Sequence, residues 1–200
     1  MIFGWDISTS VIGITVLDND GNFVESSFID LRKIEGGWME KAEVAKKEVW
    51  AFLAKHQTDD PNGIHYVEDR LGNFSAGKSM LQVLMLLASF NAVISFVIKN
   101  TYGTKSITHI HPSTVKSIMK NEGLIIPKGA DKKALTLAFV QQKEPSFPVH
   151  KNKNDNPQPY CYDMADSYIV AKAGFIKSNE TRTETSSVES GTKRRRKKEG

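Results

Sequence analysis

MIFGWDISTSVIGITVLDNDGNFVESSFID, residues 1–30, decides the fold. Residues 1–9 and 11–18 are Ile- and Val-rich and read as strands, and Phe23 to Ile29 reads as a third. Between the second and third, Asp18-Asn19-Asp20-Gly21-Asn22 is a hairpin signal, with Asp20-Gly21 suited to a type I′ turn. Three antiparallel strands therefore open the chain. One carboxylate, Asp6, sits inside the first apolar run, and burying an unpaired carboxylate is costly without a cation.

Working outward, Trp38 to His56 has helical spacing, with Trp38, Ala42, Ala45, Val49, Phe52 and Leu53 on one broad face. Residues 59–63, DDPNG, are a loop, and Ile64 to Leu71 is a short strand. A long helix is expected over roughly 76–101, then a strand over Ser106 to His111. Helices follow over Ser113 to Lys120, Asp131 to Lys143 with Asp131 near its N-cap, and Asp163 to Ile176. The order βββαβαβααα predicts a mixed sheet with helices on both faces.

The chain has 200 residues, enough for one well-buried domain. Its single cysteine, Cys161, can form no intramolecular disulfide, which fits a reducing compartment. The opening lacks the basic and apolar regions of a secretory leader. The formal charge is +4, but residues 178–200 hold seven Lys/Arg and four Glu, so the first 177 residues are nearly neutral. That tail, SNETRTETSSVESGTKRRRKKEG, is almost devoid of apolar residues and is expected to be disordered, with Lys193, Arg194, Arg195 and Arg196 available to phosphates without sequence preference. The expected domain is thus 1–177. The stretch Ser79–Ile98 has the length of a membrane span, but Gln82, Ser89, Asn91 and Ser95 interrupt it; a central buried helix is expected instead.

Four carboxylates on separate elements suit a two-metal centre. Asp6 lies in the first strand, Glu68 ends the fourth with Asp69 as its neighbour and competitor, and Asp163 and Asp166 are spaced i, i+3 on the last helix. Hard divalent cations gather carboxylate oxygens, and two ions about 4 Å apart can clamp the attacking and leaving oxygens of a phosphodiester. One ion activates water near neutral pH and the other stabilises the leaving oxygen, so no protein nucleophile is needed. Asp6 could instead be a hydrogen-bonded turn residue, and Asp163–Asp166 a helix N-terminal turn favoured by the dipole.

These motifs, in this order and spacing, resemble the RuvC family of Holliday-junction resolvases within the retroviral-integrase/RNase H superfamily. The resemblance covers residues 1–177. GWDISTSVIGITVLD, residues 4–18, is similar to the family's opening hairpin. YVEDRL, residues 66–71, with the long helix after it, is similar to the second acidic strand. HPSTVKSIMK and KGADKKALTLAFV, beginning at His111 and Lys128, resemble the proline-led basic helix and the lysine-bearing segment. DNPQPYCYDMADSYIVAKAG, from Asp155, resembles the closing motif. The resemblance implies an RNase H-like mixed five-stranded sheet. It implies a homodimer that cuts branched DNA, four-way junctions or related structures, and makes Asp6, Glu68, Asp163 and Asp166 ligands of two Mg²⁺ ions per site, with Mn²⁺ able to substitute. Lys116 and Lys132 match lysines near the scissile phosphate or the junction backbone, Lys132 as a catalytic group, with Lys133 competing for its place. Lys78 is a further candidate for DNA contact. Leu71 stands where the family often has a stacking aromatic, and Phe74 is the aromatic nearest to it. Ser167 replaces a small apolar residue, and the loop between Lys116 and Lys132 is longer than the family's, with Gly123 to Lys128 inserted. The compartment implied is the cytoplasm of a bacterial or phage-infected cell, or the nucleus or viral factory of a eukaryotic one, with no membrane partner.

Other readings compete. Gly72, Gly77, Lys78 and Ser79 match the letters of a phosphate-binding P-loop, but an NTPase would leave Asp6 and Asp163–Asp166 unused. His109 and His111 alternate on one strand, yet nothing nearby completes a zinc site. A sugar-kinase-like ATPase also opens with G-x-D-x-[ST], but 200 residues cannot hold its two halves. A catalytically inactive module that binds branched DNA would keep the fold without the chemistry.

Overall fold

The computed structural model describes residues 1–56, 63–69, 78–101 and 104–196, with side chains described over the same ranges except 78–80 and 181–196. Ten elements occur in the expected order: β1 (Ile2–Ile7), β2 (Val11–Leu17), β3 (Phe23–Asp30), α1 (Trp38–Lys55), β4 (Gly63–Glu68), α2 (Lys78–Lys99), β5 (Thr104–Ile110), α3 (Pro112–Asn121), α4 (Lys132–Lys143) and α5 (Tyr160–Arg196). They build one mixed sheet in the order β3-β2-β1-β4-β5. β1 pairs antiparallel with β2 and parallel with β4, so it is the central strand.

Both faces of the sheet are covered, which is why β1 and β2 read as nearly unbroken apolar runs. The pleat divides them. Phe3, Trp5, Ile7, Ile12, Ile14 and Val16 pack in one core with α1 and α2. Ile2, Leu17 and Tyr66 pack in the other with α3, α4 and α5. By the two-residue period, Gly4, Asp6, Gly13 and Thr15 therefore share the α5 face. At Gly4, an added Cβ would lie inside contact distance of the Ser167 carbonyl oxygen and the Ala171 nitrogen; at Gly13 it would strike the Asp163 carbonyl. The helix backbone rests directly on the strands there, and only glycine permits it.

The departure of Ser167 from an apolar residue has a local answer. Its hydroxyl is buried, donates to the Met164 carbonyl at 2.7 Å, and lies 2.9 Å from Thr15 Oγ1, which in turn lies 3.1 Å from Ser26 Oγ. The network satisfies every member, as buried hydroxyls require.

Four expectations need correction. The β2–β3 turn is not type I′. Among its residues only Gly21 has positive φ, at 84°. Asp18 and Asn22 close a three-residue loop, and the Asp18 carboxylate accepts from the Asp20 and Asn22 backbone N–H groups, a local bonding pattern that needs just one left-handed residue. His111 is not on β5; it caps α3, its Nδ1 accepting from the Ser113 N–H, while His109 bonds Ser95. The long helix α2 is not fully buried. Its stretch Leu81–Lys99 is apolar enough to cross a membrane by length and composition, but only 33% of it is buried. Phe90, Ile94, Val97 and Ile98 meet the sheet, while Leu81, Val83, Met85, Leu86, Val93 and Phe96 are exposed. Last, α5 runs to Arg196 rather than ending near Ile176; the composition of residues 178–196 gives no physical account of a helix there.

Candidate active site

Each of the four carboxylates owes its place to its element. Asp6 sits next to the end of the central strand, opposite Gly13, and is 5% exposed. Glu68 ends the neighbouring strand. The parallel pairing Gly4↔Tyr66 and Trp5↔Val67, carried one residue further, sets Glu68 beside Asp6 on the α5 face, and turns Asp69 the other way. The Asn91 amide of α2 donates to the Glu68 carbonyl at 3.1 Å, so the polar residues that interrupt that helix help to fix the strand end. Asp163 lies in the first turn of α5, where the helix dipole favours an anion, and Asp166 follows one turn later. Gly13 brings this turn down onto the sheet.

Two lysines enter from α4. The Asp131 carboxylate caps the helix by accepting from the Ala134 N–H at 3.1 Å, which places Lys132 and Lys133 in its first turn. Cations at a helix N-terminus oppose the dipole, so something must compensate. Lys133 Nζ lies 3.2 Å from Asp163 Oδ1. Burial works to lower its ammonium pKa, but the charges of Asp163, Asp166 and Asp6 more than offset this and leave it raised. Asp166 is pushed up to about 6, first by burial; Lys132 and Lys133 pull it down while Glu68 and Asp163 push it further up. All four carboxylates and both lysines thus share one field.

The Asp166 carboxylate is also short of partners: its Oδ1 is buried and accepts no hydrogen bond. An orphaned buried carboxylate oxygen among further carboxylates is the donor set that a hard divalent cation takes. Among the described residues no three such side chains yet enclose a common point.

Chelator-treated protein should reveal this buried charge as a stability effect. A carboxyl pKa raised in the folded state contributes stability that is fully present below about pH 4 and is lost as pH rises through about 6. Asp166→Asn should therefore stabilise chelator-treated protein by about 2 kcal/mol at pH 7, and by little near pH 4. Thermal melts at the two pH values check it; a lower melting temperature for the variant at pH 7 would refute the picture of an unsatisfied buried charge.

Of the remaining candidates, Lys116 is exposed on α3 and lines a groove with Lys132. Leu71 and Phe74 lie outside the described residues, as does most of the Gly72–Ser79 segment. Lys78 begins α2, and Lys193 to Arg196 end α5, but their side chains are likewise outside the description. One cation escaped the sequence reading. Arg32 lies near enough to Asp163 to feel its charge, while its guanidinium is held chiefly by hydrogen bonds to Asp30 at 2.8 and 2.7 Å. The Asp30-x-Arg32 pair just past the third strand was its only signal.

No family model matches the chain, and no curated protein sequence does. Solved structures do. RuvC of T. thermophilus, determined in complex with Holliday junction substrate, aligns over 88% of this chain and 94% of its own, with 11% sequence identity and a TM-score of 0.53. The yeast mitochondrial Holliday junction resolvase Ydc2 aligns over 87% of this chain and 77% of its own, at 11% identity and a TM-score of 0.49. The fold is RNase H-like, as in the T. thermophilus RuvC structure.

Proposed function

We propose that this chain is a divalent-metal-dependent endonuclease that cuts branched DNA, four-way junctions or related structures. The reading is supported by the sheet face that carries Asp6 and Glu68 being the one covered by the first turns of α5, which bear Asp163 and Asp166, and by a buried Asp166 oxygen left unpartnered. Asp6, Glu68, Asp163 and Asp166 would hold the cations, two Mg²⁺ or Mn²⁺ ions by the chemistry of the set. Bound there, such cations supply the Lewis acidity that phosphodiester hydrolysis needs. The chain's own part is to fix the ligands on a strand pair and a close-packed helix, and to offer cations to the phosphate. Lys132 stands at the edge of the carboxylate field and is exposed, so it is suited to a non-bridging phosphate oxygen. Lys133, held by Asp163, is suited to balancing the site until the cations arrive.

The test is cleavage of synthetic four-way, three-way, flap and linear DNA with Mg²⁺, Mn²⁺, Ca²⁺ or chelator. Incision of branched DNA with Mg²⁺ or Mn²⁺, abolished by chelation, is the expected result; no incision of any substrate with either ion would overturn it. The Lys133–Asp163 pair favours one second reading, an inactive branched-DNA-binding module in which an ammonium stands permanently where a cation would. That module would bind junctions, cut none, and show no rise in melting temperature with Mn²⁺.

The same reading makes the protein a homodimer. Leu81, Met85 and Phe96 lie along an exposed stripe of α2, and a helix apolar on more sides than its own fold covers calls for a second cover. A two-fold partner would supply it and set two sites against two strands. Light scattering should give a dimer, and Met85→Glu with Phe96→Glu should give a folded monomer. A wild-type monomer at tens of micromolar, with and without junction DNA, would remove the claim.

A further inference from the structure

Beside the carboxylates, on the side of Lys132, lies a groove of about 480 Å³ lined by Lys116, Lys120, Leu124, Ile125, Ile126 and Lys132. Its chemistry is divided. The three lysines are exposed, and none forms an ion pair among the described residues, so the rim is strongly cationic. The wall is aliphatic and belongs to the turn between α3 and α4. That turn is firmly held: the Leu124 N–H donates to the Met119 carbonyl at 2.9 Å, Leu124 is buried, and Ile126 packs on the main core. Between these two anchors Ile125 is forced outward and is 70% exposed. A large aliphatic side chain fixed in water at the mouth of a cationic groove loses the burial that would otherwise favour it.

We propose that this groove receives one unpaired nucleotide of the substrate strand, its base lying against Ile125 and its flanking phosphates on Lys116, Lys120 and Lys132. The inference rests on the nuclease reading and adds what selects the substrate. A paired base hides its faces in the stack, so only a nucleotide displaced at a branch can present one to Ile125. Phosphate contacts alone carry no such preference. Base and backbone are required together because the groove offers an apolar wall and cations with no acidic residue lining it. Lys132 continues the path to the carboxylates, since its charge reaches Asp166. An unpaired nucleotide seated here would thus place the adjoining phosphate beside the site.

The experiment uses full-length Asp166→Asn protein, so that bound DNA stays intact, and three-way and four-way junctions with 2-aminopurine at the nucleotide next to the branch. A fully paired linear duplex of the same length is the control. Binding should raise the fluorescence of the junction probes as the base leaves the stack. Ile125→Ser should abolish that rise and weaken junction binding by about tenfold, with less than a twofold change for the duplex. Ile125→Leu should restore both. Lys120→Ala should weaken both DNAs and reduce the salt slope by about one phosphate contact. The position is mostly exposed, so the serine variant should keep the parent's melting temperature. If Ile125→Ser leaves the fluorescence rise intact, or weakens junction and duplex equally, the groove does not read an unpaired base. If the Asp166→Asn parent binds no DNA of any form, it is the nuclease reading that falls.

Discussion

Asp6→Asn and Asp166→Asn should each lower the rate of branched-DNA cleavage by at least about a thousandfold while leaving junction affinity within a few-fold of the parent. Each substitution keeps the size of the side chain and removes one negative charge from the set that would hold the cations. Loss of a Lewis acid's several kcal/mol of charge stabilisation corresponds to about three decades in rate. The two positions fail for different physical reasons, which makes the pair informative. Asp6 is fixed on the central strand and is nearly inaccessible, so asparagine there leaves a ligand of the same reach without its charge. Asp166 is the carboxylate with the unpartnered buried oxygen, so asparagine also relieves a strain in the metal-free protein. Asp166→Asn is thus expected to be inactive and more stable. Gel assays of cleavage and affinity, with melts of chelated protein, read all of this. Cleavage at the parent rate by either variant would remove that residue from the site.

What the sequence disclosed follows from which signals are local. The strands showed because both faces of β1 and β2 are buried, which forces apolar side chains at successive positions. A carboxylate in such a run stood out by its cost, and Asp163–Asp166 by their spacing. The choice between Glu68 and Asp69 was not local. It depends on the register of β4 against β1, which the parallel pairing alone provides. Lys132 against Lys133 was equally hidden: adjacent residues on a helix point about 100° apart, and only the docking of α4 against α5 shows that Lys133 meets Asp163 while Lys132 lines the groove with Lys116. Which side of α2 its own fold leaves uncovered was hidden for the same reason, since an apolar helix reports that it must be covered and says nothing about by what. Ile125 carried no signal at all. Its meaning comes from Leu124 and Ile126 being anchored on either side of it.

Gly13 gives the second large effect, one that a list of ligands would not suggest. It pairs across the sheet with Asp6, and its α-carbon lies beneath the Asp163 carbonyl, closer than any Cβ could stand. Alanine there must drive the first turn of α5 away from β2, and the atoms that would have to yield are backbone, not a flexible side-chain end. Overpacking of this kind costs about 3 kcal/mol, and in a domain of this size that lowers the melting temperature by about 10 °C. Activity should suffer beyond that loss. The displaced turn carries Asp163 and Asp166, whereas Asp6 and Glu68 stay with the sheet, so the set is pulled apart between its two supports. A misplacement of about 1 Å at a reacting centre can cost about a hundredfold. Gly4→Ala is the matched comparison. Its clash falls on the Ser167 carbonyl and the Ala171 nitrogen, further along the same helix, so it should destabilise to a similar degree and impair cleavage less. Both variants would be assayed at a temperature where circular dichroism shows them folded. A Gly13→Ala protein with parental melting temperature and cleavage would mean that α5 does not rest on β2 at this point, and the proposed approach of Asp163 and Asp166 to Asp6 would lose its mechanical basis.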